Sequence, residues 1–148
     1  MCQVLIVEDN PTLRSILKGI LTARFPMVAV EVAANAEEAL SEFNKTNPLL
    51  IFMDIRLPDE SGLEIARRIK EINPQIKIVI LTSFDNPEYR EAAFRNGASF
   101  FLSKGDVRID DIASLVSSTL KVDENCGHSM SDFRRNGAGK IQRTGAVD

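Results

Sequence analysis

The sequence predicts an α/β domain, a five-stranded parallel sheet with helices on both faces. Three observations predict it. Five short apolar runs recur along the chain, most without the strict alternation of a strand wetted on one side. Between them lie segments whose apolar residues recur at helical spacing. The runs also stop abruptly at polar residues, and open α/β sheets gather such strand ends at one edge. Strand and helix alternating in this way imply a parallel sheet with helical crossovers.

The central run is Leu49 to Met53, five apolar residues that end at Asp54. It suits a strand buried on both faces. Arg56 and Pro58 follow, and Asp59-Glu60-Ser61-Gly62 reads as a turn. A carboxylate at the end of a central parallel strand stands where such sheets bind ligands. An aspartate also opens many ordinary loops, and position alone leaves both readings standing.

The other elements follow in order. Gln3 to Val7 is a buried strand that closes on Glu8-Asp9. Asn10-Pro11 opens a helix, since proline suits a first helical turn. Its apolar stripe is Leu13, Ile16, Leu17, Ile20 and Leu21, and Phe25-Pro26 ends it. Glu8 and Asp9 would cap this helix if they had no other task. Val28 to Val32 reads as an edge strand, and Ala36 to Phe43 as a helix with Ala39, Leu40 and Phe43 inward. Thr46-Asn47-Pro48 breaks it ahead of the central strand. After Gly62, a helix carries Leu63, Ile65, Ala66, Ile69 and Ile72 until Asn73-Pro74 stops it. Ile76 to Leu81 is the fourth strand and ends on Thr82-Ser83, two hydroxyls that also suit a helix cap. A helix from Pro87 carries Tyr89, Ala92, Ala93 and Phe94 and closes at Asn96-Gly97. Ser99 to Ser103 is the last strand, with Lys104 beyond it, and Phe100 and Phe101 face opposite ways. Arg108 to Leu120 is the final helix, with Ile109, Ile112, Leu115, Val116 and Thr119 facing in.

Composition narrows the function. The chain has 148 residues, 44% hydrophobic and 26% charged, which is enough for one domain with a true core. A net charge of −3 gives no sign of a nucleic-acid surface. Cys2 and Cys126 fit no zinc spacing, and a reducing cytoplasm is the expected setting. No apolar run approaches the roughly 18 residues of a membrane span. His128 is the single histidine and lies outside the expected core, which removes histidine-based catalysis there. Residues 1–121 form the expected domain. Residues 122–148 are polar, with few large apolar side chains, and read as a flexible tail or an expression-derived extension.

In this architecture Glu8-Asp9, Asp54, Thr82-Ser83 and Lys104 converge on one edge of the sheet. Together they match phosphoryl transfer onto a carboxylate. Crowded acids attract a hard dication such as Mg²⁺. Asp54 is then the nucleophile, and a lysine and a hydroxyl hold the phosphoryl oxygens.

The segments VLIVEDNP, MDIRLPDESGLEI, ILTS and FFLSKGD resemble the receiver domain of two-component response regulators, chemotaxis regulators among them. The resemblance runs from about Gln3 to Leu120 and takes in every element. It implies a flavodoxin-like doubly wound sheet of order 2-1-3-4-5. It makes Asp54 the phosphoacceptor, with Asp9 a direct Mg²⁺ ligand and Glu8 acting partly through water. It makes the backbone carbonyl of Arg56 a further ligand, Lys104 the phosphoryl-binding lysine, and Thr82 and Phe101 the switch pair. It also places Arg56 and Phe84 beside the path of attacking water.

Two positions depart from the family. Gly105 stands where proline usually follows the lysine, so no proline-stabilised cis peptide is implied. Phe101 replaces the commoner tyrosine, and its ring has no hydroxyl. The implied function is a phosphorelay switch and not a metabolic enzyme. It takes its phosphoryl group from a sensor histidine kinase or a histidine phosphotransfer protein. Its face of helix 4, strand 5 and helix 5 controls an output protein, with a phosphorylation-dependent dimer among the outcomes. The expected domain itself touches neither membrane nor nucleic acid. One alternative is the receiver half of a transcription factor, suggested by the Lys-Gly ending, although too few residues follow Val122 here for a helix-turn-helix domain. A second is a Mg²⁺-dependent phosphohydrolase, but Arg56 occupies the place of the second acid such enzymes carry.

Overall fold

The computed structural model describes residues 3–122. The expectations for Cys2, Cys126 and His128, and for the tail beyond Val122, lie outside the described residues. Five strands alternate with five helices. They run β1 Val4–Val7, α1 Pro11–Arg24, β2 Val30–Ala33, α2 Ala36–Thr46, β3 Leu50–Met53, α3 Gly62–Ile72, β4 Lys77–Thr82, α4 Pro87–Arg95, β5 Phe100–Ser103 and α5 Ile109–Leu120. All strand pairings are parallel, and the order is β2-β1-β3-β4-β5. This is the doubly wound, flavodoxin-like sheet that the sequence predicts, with β2 at an edge.

The apolar runs lack alternation because both faces of the sheet are covered. Ile51 and Met53 join Ala39, Phe43, Ile65 and Ile69 in one core cluster. Leu50 and Phe52 turn to the other side, with Leu17, Leu21, Ile112 and Val116. Helix starts follow local chemistry. Asn10 accepts from the amides of Thr12 and Leu13, Asn35 from that of Glu38, and Asn86 from that of Tyr89. Asn86, not Thr82 or Ser83, caps α4, and Asn10 caps α1. The acids and hydroxyls at the strand ends are therefore not the helix caps.

Several side chains lie elsewhere than periodicity expects. Ile16 is exposed at the outer margin of its stripe. Ile72 and Ile109 are exposed at the ends of their helices, and Phe94 is exposed on α4, which buries only Ala93. Leu49 is also exposed and precedes the strand. β2 begins at Val30 because the Val28 amide is committed to a turn, donating to the Phe25 carbonyl at 2.9 Å. α2 runs past Phe43 to Thr46 and ends where Asn47 takes a left-handed conformation, φ 49°. No peptide among the described residues is cis, the one before Gly105 included.

Candidate acidic site

The register sets the site. Val7 pairs with Met53 across β1 and β3, so Glu8 and Asp54 emerge side by side where the strand order reverses. The Asp54 amide still donates to the Val7 carbonyl at 3.1 Å. On the far side Thr82 pairs with Ser103, and the Lys104 amide donates to the Thr82 carbonyl at 2.8 Å. That bond aims Lys104 back over the edge.

The Lys104 ammonium lies 2.7 Å from Glu8 Oε1 and 3.0 Å from Asp54 Oδ2. Glu8 is only 2% exposed and Asp54 6%. The second oxygen of Glu8 accepts from the Asn10 amide at 3.1 Å, and Arg14 donates to the Glu8 carbonyl at 2.8 Å. Burial raises the Glu8 pKa, more than the Lys104 and Asn10 hydrogen bonds lower it, and the Asp54 charge raises it further. Burial pulls Lys104 down, but its bonds to the two carboxylates outweigh burial and raise it. Asp9 is exposed at the rim. Ligand atoms of Glu8, Asp9 and Asp54 all lie within 4.8 Å of one another.

Thr82 is fully buried, and its hydroxyl oxygen accepts from the Phe84 amide at 3.2 Å. Ser83 is exposed. The Arg56 guanidinium lies over the Phe84 ring, 4.2 Å from its centroid, and Phe84 leans on Tyr89 at 6.0 Å between ring centroids. Those contacts join the β3–α3 and β4–α4 loops beside the acids.

One expectation needs correction. As the switch partner of Thr82 implied by family resemblance, Phe101 is expected to swing in from the surface, but its ring is already buried, 6% exposed, in the cluster that holds Ile80, Ala93 and Ala98. The Arg90 guanidinium covers the ring, 4.9 Å from its centroid. Phe100 faces the opposite cluster, as strand alternation predicts. Arg90, Arg14 and Asp59 are contacts that sequence reasoning missed. Asp59 accepts from the Ala36 and Glu37 amides, residues too distant in sequence to leave a local signal.

The sequence profile of the response regulator receiver domain matches residues 4–117. The chain belongs to the response regulator receiver family. Among relatives of this receiver domain is the uncharacterized transcriptional regulatory protein YvfU of Bacillus subtilis. It is 36% identical over 121 residues, which are 82% of this chain and 60% of that protein. The chemotaxis protein CheY of Halobacterium salinarum is 32% identical over 102 residues, 69% of this chain and 83% of that one. A CheY-like response regulator receiver domain protein of Methanospirillum hungatei superposes with a TM-score of 0.74 at 27% identity, covering 82% of this chain and 94% of that chain. The matched segments make up between 39% and 60% of the first three curated relatives, all transcriptional regulatory proteins. No described helix of the receiver domain is long and apolar enough to cross a membrane.

Proposed function

We propose that this receiver domain takes a phosphoryl group onto Asp54 from the phosphohistidine of a sensor histidine kinase or a histidine phosphotransfer protein. The observation that supports this most is the placement of a buried Asp54 carboxylate 3.0 Å from the Lys104 ammonium, with Glu8 and Asp9 alongside. Three carboxylates within 4.8 Å are a hard-oxygen donor set that suits Mg²⁺. Glu8, Asp9 and Asp54 would hold the ion, with the Arg56 carbonyl added by family resemblance. Bound there, Mg²⁺ offsets the carboxylate charges and polarises phosphoryl oxygens.

The chain's own groups do the rest. An Asp54 oxygen bonds to phosphorus as the phosphorus–nitrogen bond breaks, and the electron pair leaves on the donor imidazole. Lys104 already touches Asp54 and follows the charge onto the phosphoryl oxygens. Thr82 accepts from the Phe84 amide, which leaves its own proton to donate to a phosphoryl oxygen. Water later cleaves the acyl phosphate, so the domain is a switch that consumes no metabolite. The output surface is α4, β5 and α5, where Thr82 and Phe101 report the phosphoryl group, and a phosphorylation-dependent dimer uses the same surface. A cytoplasmic setting goes with such a donor.

A second reading is that this domain controls a DNA-binding domain in a longer protein. It draws on the relatives' names and on the limited share of them that the chain spans.

Intact-mass spectrometry after incubation with acetyl phosphate and Mg²⁺ tests the phosphoacceptor. Wild type should gain one phosphoryl group and Asp54→Asn none, because an amide is a poor nucleophile. Equal labelling of the variant excludes Asp54.

A further inference from the structure

The first amides of a helix have no acceptor within it. In α2 the Glu38 amide is served by the helix's own cap, Asn35 Oδ1, at 2.8 Å. The two before it are served from another loop. The Ala36 amide donates to Asp59 Oδ1 at 2.9 Å, and the Glu37 amide to Asp59 Oδ2 at 3.1 Å. Both carboxylate oxygens are engaged, and the negative charge sits at the positive end of the helix dipole.

The other end of this contact is the segment that carries Asp54 and Arg56. It closes on itself, with the Gly62 amide donating to the Ile55 carbonyl at 2.7 Å and Arg56 paired in antiparallel fashion with Ser61. Glu60 binds Arg68 of α3 at 2.9 Å, which ties the loop to its own following helix. Asp59 ties it across to α2. We infer that Asp59 is a positioning residue for the acidic site: by clamping the N-terminus of α2 it holds the β3–α3 loop, and with it the Arg56 backbone, in place to complete a Mg²⁺ site. The inference rests on the proposed role of the Arg56 carbonyl. It adds the residue that fixes that carbonyl, one that touches neither ion nor phosphoryl group. Mg²⁺ makes this matter, because ligand distances near 2.0–2.1 Å tolerate little loop movement.

The test is calorimetric titration of the full chain with MgCl₂, with a melting curve beside each titration. Three variants are compared with wild type. Asp59→Ala removes both hydrogen bonds and should weaken Mg²⁺ binding roughly tenfold, the low end for residues that support a metal ligand. Asp59→Asn keeps one acceptor oxygen and should fall between, and it carries the test if the alanine variant does not fold. Asn35→Ala uncaps the same helix without releasing the loop. It should lower the Tm and leave Mg²⁺ affinity unchanged, which a merely structural role for Asp59 does not predict. Wild-type affinity in Asp59→Ala and Asp59→Asn overturns the inference, as does an equal loss in Asn35→Ala. If wild type itself binds no Mg²⁺, the metal reading falls and this inference falls with it.

Discussion

At the scale of single residues, the site differs from a bare cluster of acids. Sequence reasoning expects Glu8, Asp9 and Asp54 to repel one another until a cation arrives. The structure sets the Lys104 ammonium between Glu8 and Asp54, at 2.7 and 3.0 Å, so part of that repulsion is already offset. These residues were legible because each follows an apolar run, and a parallel sheet brings all such ends to one edge. The Phe101 position was not legible, because its burial depends on α4, whose Arg90 covers the ring, and not on the strand's own residues. The stacking of Arg56 on Phe84 had no sequence signal either. By family resemblance these two side chains flank the path of attacking water, and neither can act as a base there. Replacing Phe84 with Ser should therefore speed hydrolysis of the acyl phosphate several-fold, about 1 kcal/mol in barrier. The decay of the phosphorylated mass after removal of the donor reads this, and an unchanged lifetime counts against the obstruction.

At the scale of elements, the β3–α3 loop is where local sequence says least. Asp59-Glu60-Ser61-Gly62 reads as a turn, yet Ser61 is the cap of α3 and Gly62 its first residue. The glycine is required by close approach. A Cβ on Gly62 would lie 1.9 Å from the Asp54 carbonyl oxygen, a backbone atom that cannot swing aside. Gly62→Ala should cost about 1–3 kcal/mol, the usual range for overpacking, seen as a lower urea midpoint. A midpoint equal to wild type would show that the loop yields. Asp59 supplies a pH signature for the same loop. The Ala36 amide, and the Glu37 amide after it, hold its carboxyl below the ordinary value of 3.8. Its stabilising contribution is thus full above that value and disappears as pH falls through the lower folded value. Asp59→Ala should melt below wild type at neutral pH, and the gap should close in acid below pH 3.8. A gap that stays constant across the acid range would mean the carboxylate charge is not what holds α2. Helix existence was legible throughout from spacing, and at α1 also from Asn10-Pro11. Exposure at Ile16, Ile72 and Ile109 was not, because a stripe's margins and a helix's ends depend on where neighbouring elements stop.

At the scale of the whole molecule, strand count and burial could be read from composition of the runs, while strand order came from family resemblance. Runs such as Leu50 to Met53 carry no mark of their neighbours; only the register, Val7 to Met53 and Thr82 to Ser103, turns four strand ends into one site. The central claim is that a phosphoryl group on Asp54 is read out across α4, β5 and α5. A ligand shifts a conformational equilibrium only by binding one state better than the other. In the proposed switch, Thr82 and Lys104 would supply that difference by meeting the phosphoryl oxygens fully in one arrangement alone. Phe101 is buried under Arg90, so as a switch residue it would report a repacking against α4, with no hydroxyl to anchor either position. The most direct measurement is a comparison of amide NMR spectra with and without beryllofluoride and Mg²⁺, which together mimic the phosphoryl group. Wild type should shift at Glu8, Asp9 and Asp54, and also from Thr82 to Lys104 and along α4, while Thr82→Ala should keep the first set and lose the second. Shifts confined to the acidic residues in wild type would contradict the claim.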